Sequence, residues 1–472
     1  MSQYTYRIDS FRGLDQSRDE NLISPVCSPD CMNMDTSDGD LAVTKGFTKY
    51  ISSPVPEVFY SDVNKICFFT GSSSVIPMAL SGGNVYTWSG SAWVLGYQYS
   101  LVLEGRRHYS TLMTKIGTTD TMLIADGVNR ILKFDGTNFS QFGSEEGCSD
   151  IPVSYIAMFR SRLFAAGNYD YPNRLYYSKL PGGERTIEDW GYDEDSPSVE
   201  GGHVEIGTTN GDPITAIAAM SNQLLIFKKS SIYRLIGDRP GNFTVELVAM
   251  FTTPVADTAA AVYRDAIYYV TDGGLCCFNG VDASPMPDSR MIKRIMKNAD
   301  TWDSRMAIAG DKLYFTVKLG TEIRLIEYDL EERRYMQYGG FKALDIVNLF
   351  GELMLVTSSR YVEKWGDGSD FDGEPINAYW YTPLTDLGDK SVIKSLDGLS
   401  LRGEGSVRVE TTVGRVTDEA VLTLPGDPVS VAELPLKNEG RVLRVCIKNV
   451  AGSAFRLVGG LELSMNIRRR TE

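Results

Sequence analysis

The sequence predicts an all-β protein: a β-propeller of about seven four-stranded blades with an N-terminal arm and a C-terminal β-sandwich. Three observations predict it. A strand–turn–strand–turn–strand unit recurs along the chain, glycine-bearing turns sit at the same place in several of those units, and the rhythm changes near residue 374. Self-similarity at a period of roughly 40 to 60 residues is what four-stranded blades produce.

The unit is clearest at residues 343–365, where ALDIVNL, FG, ELMLVT, SS and RYVEKW alternate apolar runs with tight turns. Residues 259–278 repeat it as AAAVY, RD, AIYYVT, DGG and LCCF. Further copies lie at 306–328, 214–235, 153–177, 109–134 and 58–88. Several third strands end in an aromatic, a polar residue and glycine: Trp88-Ser89-Gly90, Phe134-Asp135-Gly136 and Phe278-Asn279-Gly280. Dipeptides of this kind supply the positive φ that type I′ hairpins require. A short fourth strand follows, as in residues 138–142. The last copy shows three clear strands. Residues 41–50 are placed to supply its fourth and so close the ring, which removes exposed sheet edges.

Boundaries follow from these rhythms. Residues 1–40 are polar and turn-rich and read as an arm, 41–372 as the propeller, and 373–472 as the sandwich with its longer alternating strands. Helix is scarce, and 289–297 is the best short candidate. The arm carries scattered Phe11, Leu14, Leu22, Ile23, Val26, Met32 and Met34, too few to fold alone. Such a segment offsets its ordering entropy only by docking on a surface. Docking on its own propeller and docking across a subunit boundary are both open, and the second makes Phe11, Leu14, Leu22, Ile23, Met32 and Met34 a candidate assembly arm.

Composition narrows the function classes. Acidic residues exceed basic ones, 61 to 47, for a formal charge of −14, so the whole surface repels duplex DNA at long range. No apolar run approaches the length of a membrane span, and the N-terminus lacks a signal-peptide core, so a non-secreted, non-membrane protein is expected. Seven scattered cysteines fit a reducing compartment.

Catalytic chemistry is sparse. The two histidines, His108 and His203, have no Cys, His or carboxylate at ligand spacing. Cys27 and Cys31 lack the second pair that a structural zinc needs. The acidic run Glu188, Asp189, Asp193, Glu194 and Asp195 is the one cluster to weigh for glycoside hydrolysis, against an ordinary solvated loop. Glycine-rich pieces such as 272–274 and 366–368 open no helix that could cradle phosphate. No enzyme activity, cofactor or metal is expected.

Three stretches resemble a known class. The arm run Phe11-Arg12-Gly13-Leu14-Asp15-Gln16-Ser17, with the later Met32-Asn33-Met34-Asp35, is similar to the opening of β-propeller structural proteins encoded beside tail and neck genes of tailed bacteriophages. So is Thr382-Pro383-Leu384-Thr385-Asp386-Leu387-Gly388 before the C-terminal strands, and so is the central 211–217 through 232–234. The resemblance implies a tail nozzle or tail-tip part similar to the packaged-DNA-stabilising proteins of short-tailed phages. It implies a homo-oligomer, typically of six copies, partnered by portal, adaptor or other tail proteins and by DNA that slides through without sequence-specific binding. It also implies a place in the virion tail, after synthesis in the host cytoplasm. The motif positions shape the fold, so no functional residue carries over. A carbohydrate-binding or carbohydrate-active propeller is the alternative, favoured by exposed Trp and Tyr with carboxylates around a central funnel.

Overall fold

The computed structural model describes all residues except 1, 59–60, 73, 101–108, 144–150, 192–197, 208–211, 251–253, 428 and 469–472. Seven antiparallel sheets follow one another along the chain: residues 63–98, 110–141, 155–205, 214–250, 260–285, 306–338, and 343–368 completed by Gly46–Lys49. Each blade has four strands, in chain order in the first six, and the first strands of successive sheets lie side by side around one centre. This is a seven-bladed β-propeller.

The sequence explains the radial order. Second strands such as Arg162–Ala166 and Gln223–Lys228 are buried on both faces because each blade is sandwiched between its neighbours. They therefore read as continuous apolar runs instead of alternating ones. The cores lie between blades: Leu123, Ile156, Leu163 and Trp190 pack together between the second and third, and Phe164, Leu175, Leu224 and Leu235 between the third and fourth. Outer strands such as Trp93–Gln98 and Thr244–Met250 are half-exposed, and they alternate or turn polar.

The three aromatic–polar–glycine turns share one geometry, which differs from the expected one. The closing pairs are Trp88 with Trp93, Phe134 with Phe139, and Phe278 with Ala283. Each leaves a four-residue loop in which the glycine has φ near +94° while Asp135 and Asn279 do not enter the left-handed region. The side chain before the glycine instead accepts backbone N–H bonds: Asp135 Oδ1 from Thr137 and Asn138, Asn279 Oδ1 from Val281 and Asp282. These are Asx turns, not type I′ hairpins.

The ring closes as the sequence suggests, through part of 41–50. Gly46–Lys49 pairs with Val362–Gly368, bringing Phe47 opposite Trp365. Phe47, Phe341, Trp365 and Phe371 form one aromatic cluster over the seam. Leu41–Val43 goes elsewhere, pairing with Met34–Asp35 and with Phe455–Arg468 in the C-terminal sheet. The short helical candidate is a 3₁₀ turn, Pro287–Ile292, running into Lys293–Met296.

The C-terminal region is one nearly closed antiparallel sheet, folded over so that it encloses its own core as a sandwich does. Its spine is the 21-residue strand Ile393–Val413. The first half pairs with Phe455–Arg468 and the second with Leu443–Asn449. Register shifts between Leu396 and Gly398 and between Leu401 and Gly403 bend it, as bulges do. Leu399, Leu401, Val407, Val409, Ile447, Leu457 and Leu463 are buried along the inner face.

Candidate functional site

The arm holds the propeller and the C-terminal sheet together, and it does so within one chain. Ser2–Ile8 pairs with Phe455–Arg468 of the C-terminal sheet. The chain then crosses to the sixth blade, where Gly13–Leu14 adds to Arg334–Tyr338 and Cys27–Ser28 adds to Gly13–Leu14, so that this blade has six strands. It returns as Cys31–Met32, pairing with Tyr379–Tyr381. Each crossing covers a sheet edge.

Four of the six candidate arm residues, Phe11, Leu14, Ile23 and Met34, are buried against this same chain. Phe11 packs edge-on against Trp380, ring centroids 5.5 Å apart, and Leu14 lies opposite Tyr335. Met32 is half-buried beside Gly339, and Leu22 is 61% exposed. Of the two docking routes open to residues 1–40, the structure shows the arm lying on its own chain. Two sheet edges and one shared core within reach make self-docking the shorter route, with no association entropy to overcome.

Polar hubs lock the joint, and Asn33 is the chief of them. It adopts φ +55°, donates from Nδ2 to Gly339 O (2.9 Å) and Asn377 O (2.8 Å), and accepts from Gly339 N–H (2.9 Å). One amide thus ties the arm, the sixth blade and the start of the C-terminal sheet. Gln16 accepts the N–H groups of Arg294 and Ile295 and donates to Pro29 O. Ser28 Oγ lies 2.6 Å from Asp30 O and 2.7 Å from Tyr381 O, so its one O–H is shared between the two carbonyls. The Met32-Asn33-Met34-Asp35 run carried the signal for Asn33; nothing local marks the bonds of Gln16 to residues 294–295 or of Ser28 to Tyr381, which span more than 270 residues.

Around this joint lies a cleft of about 700 Å³, lined by Glu20, Asp30, Arg294, Asn298, Arg324 and Arg444 among others. Glu20 bridges Arg294 (3.2 Å) and Arg444. Asp30 accepts the Tyr379 hydroxyl (3.2 Å) and Gln337 Nε2 (3.2 Å), and burial raises its pKa against those bonds. None of these arginines was singled out in the sequence, since they come together only across three separate parts of the fold.

A second, smaller space lies at the propeller centre. About 150 Å³ is lined by Lys65, Tyr109, Ser110, Asp257, Arg305 and Asp345, from the inner ends of five blades. The fully buried Asp345 sits 3.6 Å from Lys65 Nζ and 3.4 Å from Arg305 Nε, and accepts Ile66 N–H at 2.8 Å. A buried carboxylate held by two cations and a backbone N–H braces the inner strands. The space is smaller than a drug-sized ligand needs. A third space, about 380 Å³ between the sixth and seventh blades, is lined by Tyr314, Tyr338, Trp365, Lys312, Glu327 and Glu352.

The remaining sequence candidates have structural surroundings. His203 is exposed on Gly202–Glu205, and His108 lies outside the described residues. Glu188 is bound to Lys133 (2.7 Å) and Gly143 N–H (3.0 Å), and Asp189 accepts Thr186 N–H. Asp193, Glu194 and Asp195 lie outside the described residues. Cys27 and Cys31 are buried, and burial pushes the Cys27 thiol up to about 11, which favours the protonated, unreactive form.

No family profile matches the chain, and no curated protein does. Solved structures similar to it include the computationally designed Ika8 protein, at 10% identity and TM-score 0.42 over 76% of this chain and 98% of that one. The extracellular domain of a putative one component system from B. thetaiotaomicron is similar at 14% identity and TM-score 0.42 over 80% of this chain. This chain spans 46% of that domain's length. BamB from Moraxella catarrhalis is similar at 9% identity and TM-score 0.36 over 68% of this chain and 97% of that one. At such identities and scores the likeness is one of fold, and no function passes with it.

Proposed function

We propose that this protein is a structural part of a bacteriophage tail, a nozzle or tail-tip ring on the DNA exit path that retains packaged DNA. The observation that carries the reading is that two of the resembling runs flank one joint. Phe11 of the arm run packs on Trp380 beside the Thr382–Gly388 run, and Thr382 Oγ1 accepts Val445 N–H at 2.9 Å. Two of the three resembling stretches thus lie beside this joint. The charge of −14 also suits a wall past which DNA slides.

Ring contacts must then come from surfaces the arm leaves open. The outer strands of two blades expose Val94, Leu95, Leu247 and Met250, the last at 76%. Exposed apolar edges of this kind are where a further strand or a neighbouring subunit pairs. The test is genetic. Particles made without this protein are expected to lose DNA, and Leu95→Lys with Met250→Lys is expected to give a folded chain that no longer enters particles. Infectious, DNA-filled particles from a knock-out would overturn the assignment.

A carbohydrate-binding role is the second reading, favoured by the groove between the sixth and seventh blades, where Trp365 and two tyrosines stand beside Glu327 and Glu352. Glu327 there is engaged by Lys312 (2.7 Å) and Tyr338 (2.9 Å), which leaves it a weak candidate acid or base. A glycan array showing binding that Trp365→Ala abolishes would promote this reading over the first.

A further inference from the structure

The cleft at the joint holds charges that neither functional reading uses. Arg294 follows the fifth blade, Arg324 lies on the third strand of the sixth, and Arg444 belongs to the C-terminal sheet, yet all three line one space of about 700 Å³. That volume is within the range of small-ligand sites. Three guanidiniums face two carboxylates there, in a chain whose overall charge is −14.

The internal carboxylates do not saturate them. Glu20 is shared between Arg294 and Arg444, and Arg324 turns to Glu322 at the rim (3.2 Å) and to Gln337 (3.1 Å). Asp30 is spent on Tyr379 and Gln337. Arg444 meets Glu20 through Nη2, and its Nε and that of Arg324 have no acceptor among the described residues. Its guanidinium lies 5.6 Å from the centroid of the Tyr381 ring, which gives it a flat support. Burial also lowers the Arg444 pKa, since desolvation disfavours its charged form.

We propose that this cleft binds a phosphate-bearing anion, with Arg294, Arg324 and Arg444 as its ligands and Glu20 as a built-in occupant that the anion displaces. Guanidinium forks match pairs of phosphate oxygens, and a tetrahedral group can accept from three directions at once. The Glu20 carboxylate already shows that two of the arginines converge on one anionic group.

Isothermal titration of the full chain with sodium pyrophosphate, at constant ionic strength, tests this. Saturable one-to-one binding is expected. Arg324→Gln and Arg444→Gln are each expected to weaken it by about tenfold or more, the effect of losing a charged hydrogen bond. Glu20→Gln is expected to tighten it several-fold by removing the competitor. Among the described residues Arg324 bonds within its own blade, so Arg324→Gln keeps the test valid even if Arg444→Gln loosens the joint. A 5′-phosphorylated oligonucleotide run in parallel separates sources. Binding that needs its terminal phosphate assigns a polynucleotide end, and binding of pyrophosphate alone assigns a free anion. No saturable binding of either probe, unchanged affinity in both arginine variants, or weaker binding by Glu20→Gln would overturn the proposal.

Discussion

Glu363 shows how one residue can set a pH response. It sits fully buried on Val362–Gly368, opposite Lys49 in the closing strand. Lys49 does not neutralise it, because its ammonium is drawn to Asp372 (3.0 Å) and lies over the Tyr361 ring. Burial first, then repulsion from Asp372, pushes the Glu363 pKa up to about 8. The folded state therefore keeps a proton that the unfolded chain releases near its ordinary value of 4.5. This group's contribution to stability is fully present below about pH 4.5 and is lost as pH rises to about 8. Glu363→Gln is expected to leave the melting temperature unchanged at pH 4.5. At pH 8.5 it should stabilise the fold by a few kcal/mol, on the order that such a shift implies. Equal melting temperatures for the two proteins at pH 8.5 would show that Glu363 is not held protonated.

The element that matters most for the ring is the closing strand Gly46–Lys49. Its first residue passes so close to the 368–372 turn that a Cβ on Gly46 would lie 1.8 Å from Asp370 O. Gly46→Ala is expected to push this strand off the seventh blade and expose Phe47 and Trp365. Limited proteolysis near residues 44–50, and a rise in tryptophan accessibility to quenchers, would report the opening. In the arm, Phe11→Ala removes a fully buried ring from a core shared by the sixth blade and the C-terminal sheet. Its expected cost is about 3 to 5 kcal/mol, the range for buried Phe-to-Ala changes, measured by denaturant unfolding.

At the scale of the whole molecule, the arm joins two β-domains through one shared core. Phe11, Leu14, Met34, Tyr335, Trp380 and Leu399 belong to a single continuous core. Calorimetry of the intact chain is expected to show one transition. Removal of residues 1–35 takes away the strands that pair with Arg334–Tyr338, Tyr379–Tyr381 and Phe455–Arg468. The truncated chain is expected to unfold in two steps or to aggregate through the freed edges. A truncated chain with a single transition at the original temperature would show that the joint carries no stability.

The sequence by itself determined the repeating elements of this protein. Blade strands are short, locally paired and bounded by turns, so each copy, from 58–88 to 343–365, leaves its pattern in neighbouring residues. The closing role of 41–50 was legible for the same reason: one blade lacked a strand and one spare strand preceded the ring. The turn type was misjudged because Asp135 and Asn279 satisfy the backbone with their side chains, an option the dipeptide alone does not reveal. Only the tertiary structure decided where the arm goes and which arginines share a cleft. Arm pairings such as Leu14 with Tyr335 and Trp380 with Cys31 span more than 300 residues. A short apolar segment records that it must dock but not on what, since burial is non-directional. Arg294, Arg324 and Arg444 likewise look like ordinary surface charges along the chain. They become a site only when three parts of the fold converge on one space, which is a property of the folded chain and not of any local pattern.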